Sequence, residues 1–188
     1  HSTIAHMSSF RRYCVAGGTY FFTVVTFERL PFLTQDLARR LLRESILDVK
    51  QRRPFEVVAW ALLPDHFHAI WTLPHGDADY STRWSQIKEG FTKRWLAEDG
   101  VEGYCNRSRR HRRERAVWQR RFWEHTVTDE EDLDRCVDYV HWNPVKHGHV
   151  KRVRDWEWST FHRFVSAGHY DIDWGGSDPC PTYGRQFE

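Results

Sequence analysis

Cysteine is scarce in this chain, and what there is forms no pattern. Cys14, Cys105, Cys136 and Cys180 are widely scattered with no Cys-x-x-Cys pair. That excludes a zinc knuckle and a dense disulfide framework, and it fits a reducing cytoplasm. Long apolar runs are missing too. None approaches the roughly 20 residues that span a bilayer, and no stretch reads as a secretion signal. Internal repeats and low-complexity tracts are absent, apart from one run of arginines. Overall charge is nearly balanced, at +2. Any preference for nucleic acid must therefore come from where the charges sit. The chain starts with His, and its only methionine is Met7. Residues 1–9 are read as a leader outside the fold.

Aromatic residues are plentiful, with 10 Trp, 12 Phe and 7 Tyr in 188 residues. This is enough for one well-filled domain, expected over 10–174, with rings left over to stack on a ligand. A tail of 175–188 carries Gly and Pro. The arginines are concentrated: between Arg107 and Arg121 there are 8 Arg and 1 Glu. Residues 97–116 read as an irregular, arginine-rich insertion, poorly ordered without a partner.

Periodicity gives the fold class. Tyr20 to Phe27 is aromatic and β-branched, hence a strand. Leu37, Leu41, Leu42, Ile46 and Val49 recur at helical spacing. Phe55 to Leu63 and His66 to Leu73 are strands joined by a Pro64-Asp65 turn. Trp84, Ile87, Phe91 and Trp95 make a second helical stripe. Phe122 to Val127 is a fourth strand. Thr128-Asp129-Glu130-Glu131 opens a further helix, which is expected to stop near Trp142 because Asn143-Pro144 follows. Another helix is expected from Ser159. The order matches an α+β, ferredoxin-like βαββαβ domain with an antiparallel sheet, helices on one face and an added C-terminal helix.

The chemistry centres on His66-Phe67-His68. Alternate side chains of a strand share a face. The two imidazoles therefore point one way and Phe67 the other, which makes half of a metal site. The plain alternative is two ordinary polar residues on an open strand face. The chain has 12 histidines, including His147-Gly148-His149, so the pair needs support from elsewhere. The terminal helix offers it. Tyr139 and Asn143 are i and i+4 on one side, away from Leu133, Val137 and Val140. The Asn143 carbonyl could complete a mixed nitrogen and oxygen site suited to Mg²⁺ or Mn²⁺. Tyr139 is then a candidate nucleophile toward a polarised phosphodiester. The plain alternatives are a surface tyrosine and a C-capping asparagine. His147 and His149 suit solvated or phosphate-contacting roles. His125 and His141 receive none.

These residues carry a resemblance. Pro64-Asp65-His66-Phe67-His68 resembles the His-hydrophobic-His motif of single-tyrosine transposases, and Tyr139 to Gly148 resembles their tyrosine-helix signature. More narrowly, the chain is similar to the REP-associated tyrosine transposases. The likeness extends to Arg11-Arg12-Tyr13 with Gly17-Gly18-Thr19, to Trp118–His125 and to Trp158–His162. It implies that His66, His68 and Asn143 hold a divalent cation and that Tyr139 attacks DNA. It implies a single-stranded REP hairpin with a short GTAG-type guide 5′ of it, and a 5′-phosphotyrosine intermediate. It also implies a monomer, although related insertion-sequence enzymes swap tyrosine helices in a dimer.

DNA contacts are expected from Arg11 and Arg12, and from Arg109, Arg110, Arg112, Arg113, Arg120 and Arg121 through phosphate neutralisation. Lys146 and His147 are candidates from the signature. Gly17 and Gly18, with Thr19, could admit a base close to the backbone. Two other functions compete: a domesticated nucleic-acid-binding module without cleavage, and a metal nuclease that uses water in place of Tyr139.

Overall fold

The computed structural model describes residues 15–175. Four strands form one antiparallel sheet in the order β2-β3-β1-β4: β1 Thr19–Val25, β2 Glu56–Leu62, β3 His66–Thr72 and β4 Trp123–Thr126. Helices α1 (Asp36–Arg52) and α2 (Tyr80–Ala97) join the strands in the βαββαβ order expected. Among the described residues, no helix is long and apolar enough to cross a membrane.

The alternation of β1 and β3 sorts their side chains into two cores. Tyr20, Phe22, Val24, Phe67, Ala69 and Trp71 face α1 and α2, where Trp71 stacks on Trp84 at 4.1 Å between ring centroids. Phe21 and Ile70 face the other way, onto Cys136, Val137, Tyr139 and Val140 of α4 (Glu130–Lys146). The sheet is thus covered on both faces, with α4 lying over β2 and β3. Arg83, 1% exposed, ties the first face together through Asp77 and the carbonyls of Pro54 and Asp79.

Three expectations need correction. First, α4 does not stop at Trp142. It runs through Pro144 to Lys146 and caps at His147. Proline removes one donor, and the turn closes around it: His147 N bonds Asn143 O at 3.0 Å and His149 N bonds Pro144 O at 3.0 Å. Second, the arginine-rich insertion is not irregular throughout. It contains α3 (Arg107–His111), capped by Asn106. Glu102 takes Arg115 and the Ala116 N–H, and Gly103 N bonds Ala116 O at 2.9 Å. The insertion then returns along β1, where Thr26 bridges Trp118 and Gln119 N bonds Val25 O. Third, the final helix, α5, spans Phe161–Ser166 and begins two residues later than expected. The residues before it are occupied with the sheet edge, where Leu62 N bonds Trp158 O and Thr160 N bonds Trp60 O, and Arg163 of the helix itself reaches Val58 O. Outer strand β2 is covered in this way, which blunts pairing with other chains.

Candidate active site

The register of β3 against β1 places His66 opposite Val25 and His68 opposite Thr23. Both imidazoles leave the sheet on the α4 face and are buried, at 3% and 2% exposed. Their ring centroids are 4.8 Å apart, and His68 lies 5.4 Å from the Tyr139 ring. Tyr139 and Asn143, 2% and 0% exposed, enter from one side of α4. Asn143 Oδ1 is 3.2 Å from His66 Nε2. His66, His68, Asn143 and Tyr139 therefore meet at one place, and all four come from a single chain.

Two neighbours that the sequence reading left without a role set the chemistry of the imidazoles. His66 Nδ1 is 2.6 Å from Asp65 Oδ1, and Asp65 is held in turn by Arg29 at 3.0 Å. Burial works against the Asp65 charge, but His66 and Arg29 outweigh it and hold the carboxyl well below its ordinary value. His68 Nδ1 is 3.0 Å from Thr23 Oγ1. The Asp65 carboxylate accepts from His66 Nδ1 and so turns the Nε2 lone pair toward Asn143, the arrangement by which outer residues orient metal-binding histidines, and the Thr23 hydroxyl orients His68 through Nδ1. Burial, aided by the charges of His66, His147 and Lys146, drives His68 far below the usual imidazole range, so it is neutral.

The donor set fits a cation. His68 Nε2 is buried with no hydrogen-bond partner, a costly state for a polar atom. With His66 Nδ1–H donating to Asp65, His66 Nε2 and Asn143 Oδ1 are two acceptors facing each other at 3.2 Å, a repulsion that a shared cation relieves. Two imidazoles and one carbonyl, with no thiolate, suit Mg²⁺ or Mn²⁺. The site opens into a cleft of about 520 Å³ that includes Thr23, Arg29, Gln119, Arg121, Trp123 and His147.

A second cluster, His125, Asp132 and Cys136, also has metal-binding residue types within 4.8 Å of one another. Its atoms are occupied otherwise. Asp132 Oδ2 accepts from the Thr128 N–H at 3.0 Å and meets His125 Nε2 at 2.7 Å, while Arg135 takes Oδ1. Burial pushes the Cys136 thiol up to about 12, so it is protonated. This is the N-terminal cap of α4, and it accounts for His125.

The family follows from comparison with known proteins. The family model described as "Transposase IS200 like" matches residues 14–143. The chain belongs to the IS200-like transposases. A REP-associated tyrosine transposase of Escherichia coli strain K12 is 47% identical over 171 residues, covering 90% of this chain and 92% of that one. A Haemophilus influenzae protein named "Putative REP-associated tyrosine transposase" is 41% identical over 174 residues, covering 91% of this chain and 95% of that one. A solved structure of a REP-associated tyrosine transposase bound to a REP hairpin superimposes with a TM-score of 0.75 at 43% identity, over 95% of this chain and 96% of that one. The transposase is accordingly an enzyme of the REP-associated tyrosine group, built on the ferredoxin-like fold.

The remaining candidate residues of the transposase are scattered. Arg11 and Arg12 lie outside the described residues. Gly17, Gly18 and Thr19 sit at the far end of β1 from His66, about 20 Å away at roughly 3.4 Å per residue. Their backbone is already engaged: Gly17 N bonds Asp77 O and Gly18 N bonds Val15 O. Arg109 is buried, donating to the carbonyls of Arg115 and Trp118 with its guanidinium 4.4 Å over the Phe27 ring. Arg110 bonds Cys105 O, and Arg120 pairs with Glu114 at 2.5 Å. Arg112 and Arg113 are exposed at the surface, and Arg121 reaches the cleft beside His66 and His68. His147 lies 5.0 Å from the His66 ring, and Lys146 is next to Tyr139. His141 is fully buried against Thr160 at 2.8 Å, remote from the cleft.

Proposed function

We propose that the transposase cuts and rejoins single-stranded DNA at a REP-type hairpin carrying a short 5′ guide sequence. His66, His68 and Asn143 hold Mg²⁺ or Mn²⁺, and Tyr139 is the nucleophile. The buried, unpartnered His68 Nε2, one ring contact from Tyr139, carries this reading. Such an atom has no structural use where it stands, so a pure binding module would gain nothing by keeping it.

The cation, when bound, polarises a phosphodiester and fixes its orientation. The protein's own groups do the rest. Asp65 holds His66 in the tautomer that offers Nε2, and Thr23 orients the His68 ring through Nδ1. Phe21 and the His68 ring pack the Tyr139 ring at 5.8 and 5.4 Å, so the phenol is positioned before DNA arrives. Attack by the Tyr139 oxygen forms the 5′-phosphotyrosine link and releases a 3′-hydroxyl. Arg121 and His147 line the cleft as contacts for the strand, and Trp123 offers a ring for an unpaired base. Arg112 and Arg113 extend the basic surface along the insertion.

The test uses Mn²⁺ and a hairpin oligonucleotide with a single-stranded 5′ flank. Wild type should give a protein–DNA band that survives SDS, and Tyr139→Phe should bind the hairpin but give no such band. Cleavage by the Phe variant would transfer the chemistry to water.

A further inference from the structure

We infer that Lys146 is a catalytic residue, the cation that carries the charge of the Tyr139 oxygen in both cleavage and rejoining. This rests on the tyrosine-nucleophile reading above. The two residues are seven apart, close to two full turns, so they share a face of α4. Helical side chains lean toward the N-terminus, which brings the lysine back over the tyrosine. Lys146 Nζ donates to Tyr139 Oη at 3.4 Å and stands 5.0 Å from the ring centroid. The contact is long for a hydrogen bond, as catalytic contacts often are before substrate binds.

The placement depends on the unexpected course of α4. Had the helix ended at Trp142, the lysine would hang from a loop with no fixed relation to the phenol. The Asn143–His147 hydrogen bond carries the helix past Pro144 and delivers Lys146 onto the tyrosine. An arginine in the same cleft, Arg29, is already committed to Asp65.

An ammonium beside a neutral phenol does little. Beside an oxygen gaining or losing negative charge it favours the transition state over the ground state. In cleavage, the phenolic proton leaves to water in the open cleft. The Oη–P bond forms as the P–O3′ bond breaks, and the departing 3′ oxygen takes a proton from water. In rejoining, a 3′-hydroxyl attacks the same phosphorus and loses its proton to water. Oη then leaves with the electron pair, and Lys146 holds the phenolate until it is reprotonated. A phosphate-gripping lysine would instead strengthen binding of the uncut strand.

Single-turnover cleavage at saturating hairpin separates these roles, using Lys146→Met and Lys146→Arg in the full chain. With Met, the rate of adduct formation should fall about 10²-fold, while hairpin affinity stays within about a factor of two. Rejoining from the isolated adduct should slow similarly, and Arg should restore part of both rates. The inference is overturned if Met weakens binding but cleaves at the wild-type rate once saturated. It is overturned equally if Met and Arg lose rate alike along with thermal stability. Tyr139→Phe runs in parallel: an adduct from that variant sinks the nucleophile reading itself, whereas an inert Phe variant beside a fully active Met variant sinks only the role of Lys146.

Discussion

Replacing Asn143 by leucine separates a cation ligand from a helix residue that merely fits. The side chain is fully buried, with Oδ1 3.2 Å from His66 Nε2 and Nδ2 without a partner. Leucine keeps the size and removes both polar atoms. Losing the unsatisfied Nδ2 relieves about 1–3 kcal/mol, and leaving the buried His66 Nε2 with no polar neighbour costs a similar amount. In EDTA, therefore, the variant should match wild type to within about 1 kcal/mol. With cation the two should diverge. Deleting one of three protein donors should weaken binding by at least the roughly 10–100-fold seen for changes outside the ligand shell. At a cation concentration 100 times the wild-type dissociation constant, wild type gains about 2.7 kcal/mol, and a variant bound 100-fold more weakly gains only about 0.4 kcal/mol. For a chain of this size that is a melting shift of roughly 5–10 °C against about 1 °C. Differential scanning fluorimetry over a Mn²⁺ series reads it directly. If Asn143→Leu keeps the full Mn²⁺ shift, the third ligand is misassigned.

Other consequences can be measured alongside. Burial, with Arg163 adding to it, lowers His141 to about 3. The unfolded chain then takes up protons below the ordinary imidazole value of 6.5 that the folded chain refuses. Stability should be full above that pH and fall as the pH drops toward 3, at up to about 1.4 kcal/mol per unit. Urea midpoints across that range should lose this slope in His141→Gln, and an unchanged slope would place the effect elsewhere. The arginines of the insertion should divide into two kinds. Removing exposed Arg112 and Arg113 together should flatten the salt dependence of hairpin binding by about 1.4 logarithmic units per decade of salt if both meet single-stranded phosphates. Arg109→Gln should instead cost about 1–3 kcal/mol of stability by stranding two carbonyls. If the salt slope responds to Arg109 and not to the pair, the insertion faces DNA the other way round.

What the sequence made legible follows the periodic rules. Alternation in His66-Phe67-His68 states which way the imidazoles face, and i, i+4 spacing puts Tyr139 and Asn143 on one side of a helix. The βαββαβ order and the Pro64-Asp65 hairpin could be read in the same way. Local rules failed where a distant partner overrides them. Pro144 reads as a stop, yet the bonds of His147 and His149 continue the turn around it. That stop concealed the contact of Lys146 with Tyr139. Arg109 looks like its neighbours in the run, and only the return of Ala116–Gln119 along β1 makes it a buried anchor. Asp65 read as a turn residue because nothing in the order of residues shows that its carboxylate reaches back to His66 Nδ1. His125 and His141 have no signal that separates a cap or a core contact from a ligand; their partners, Asp132 and Thr160, are identified by the fold alone.

The most direct measurement of the central claim is peptide mapping of the protein after reaction with a flanked hairpin and Mn²⁺. The account predicts that, after nuclease digestion, mass spectrometry finds a residual 5′-linked nucleotide on Tyr139 and nowhere else. An adduct on any other residue, or cleaved DNA with no adduct on the protein, would contradict it.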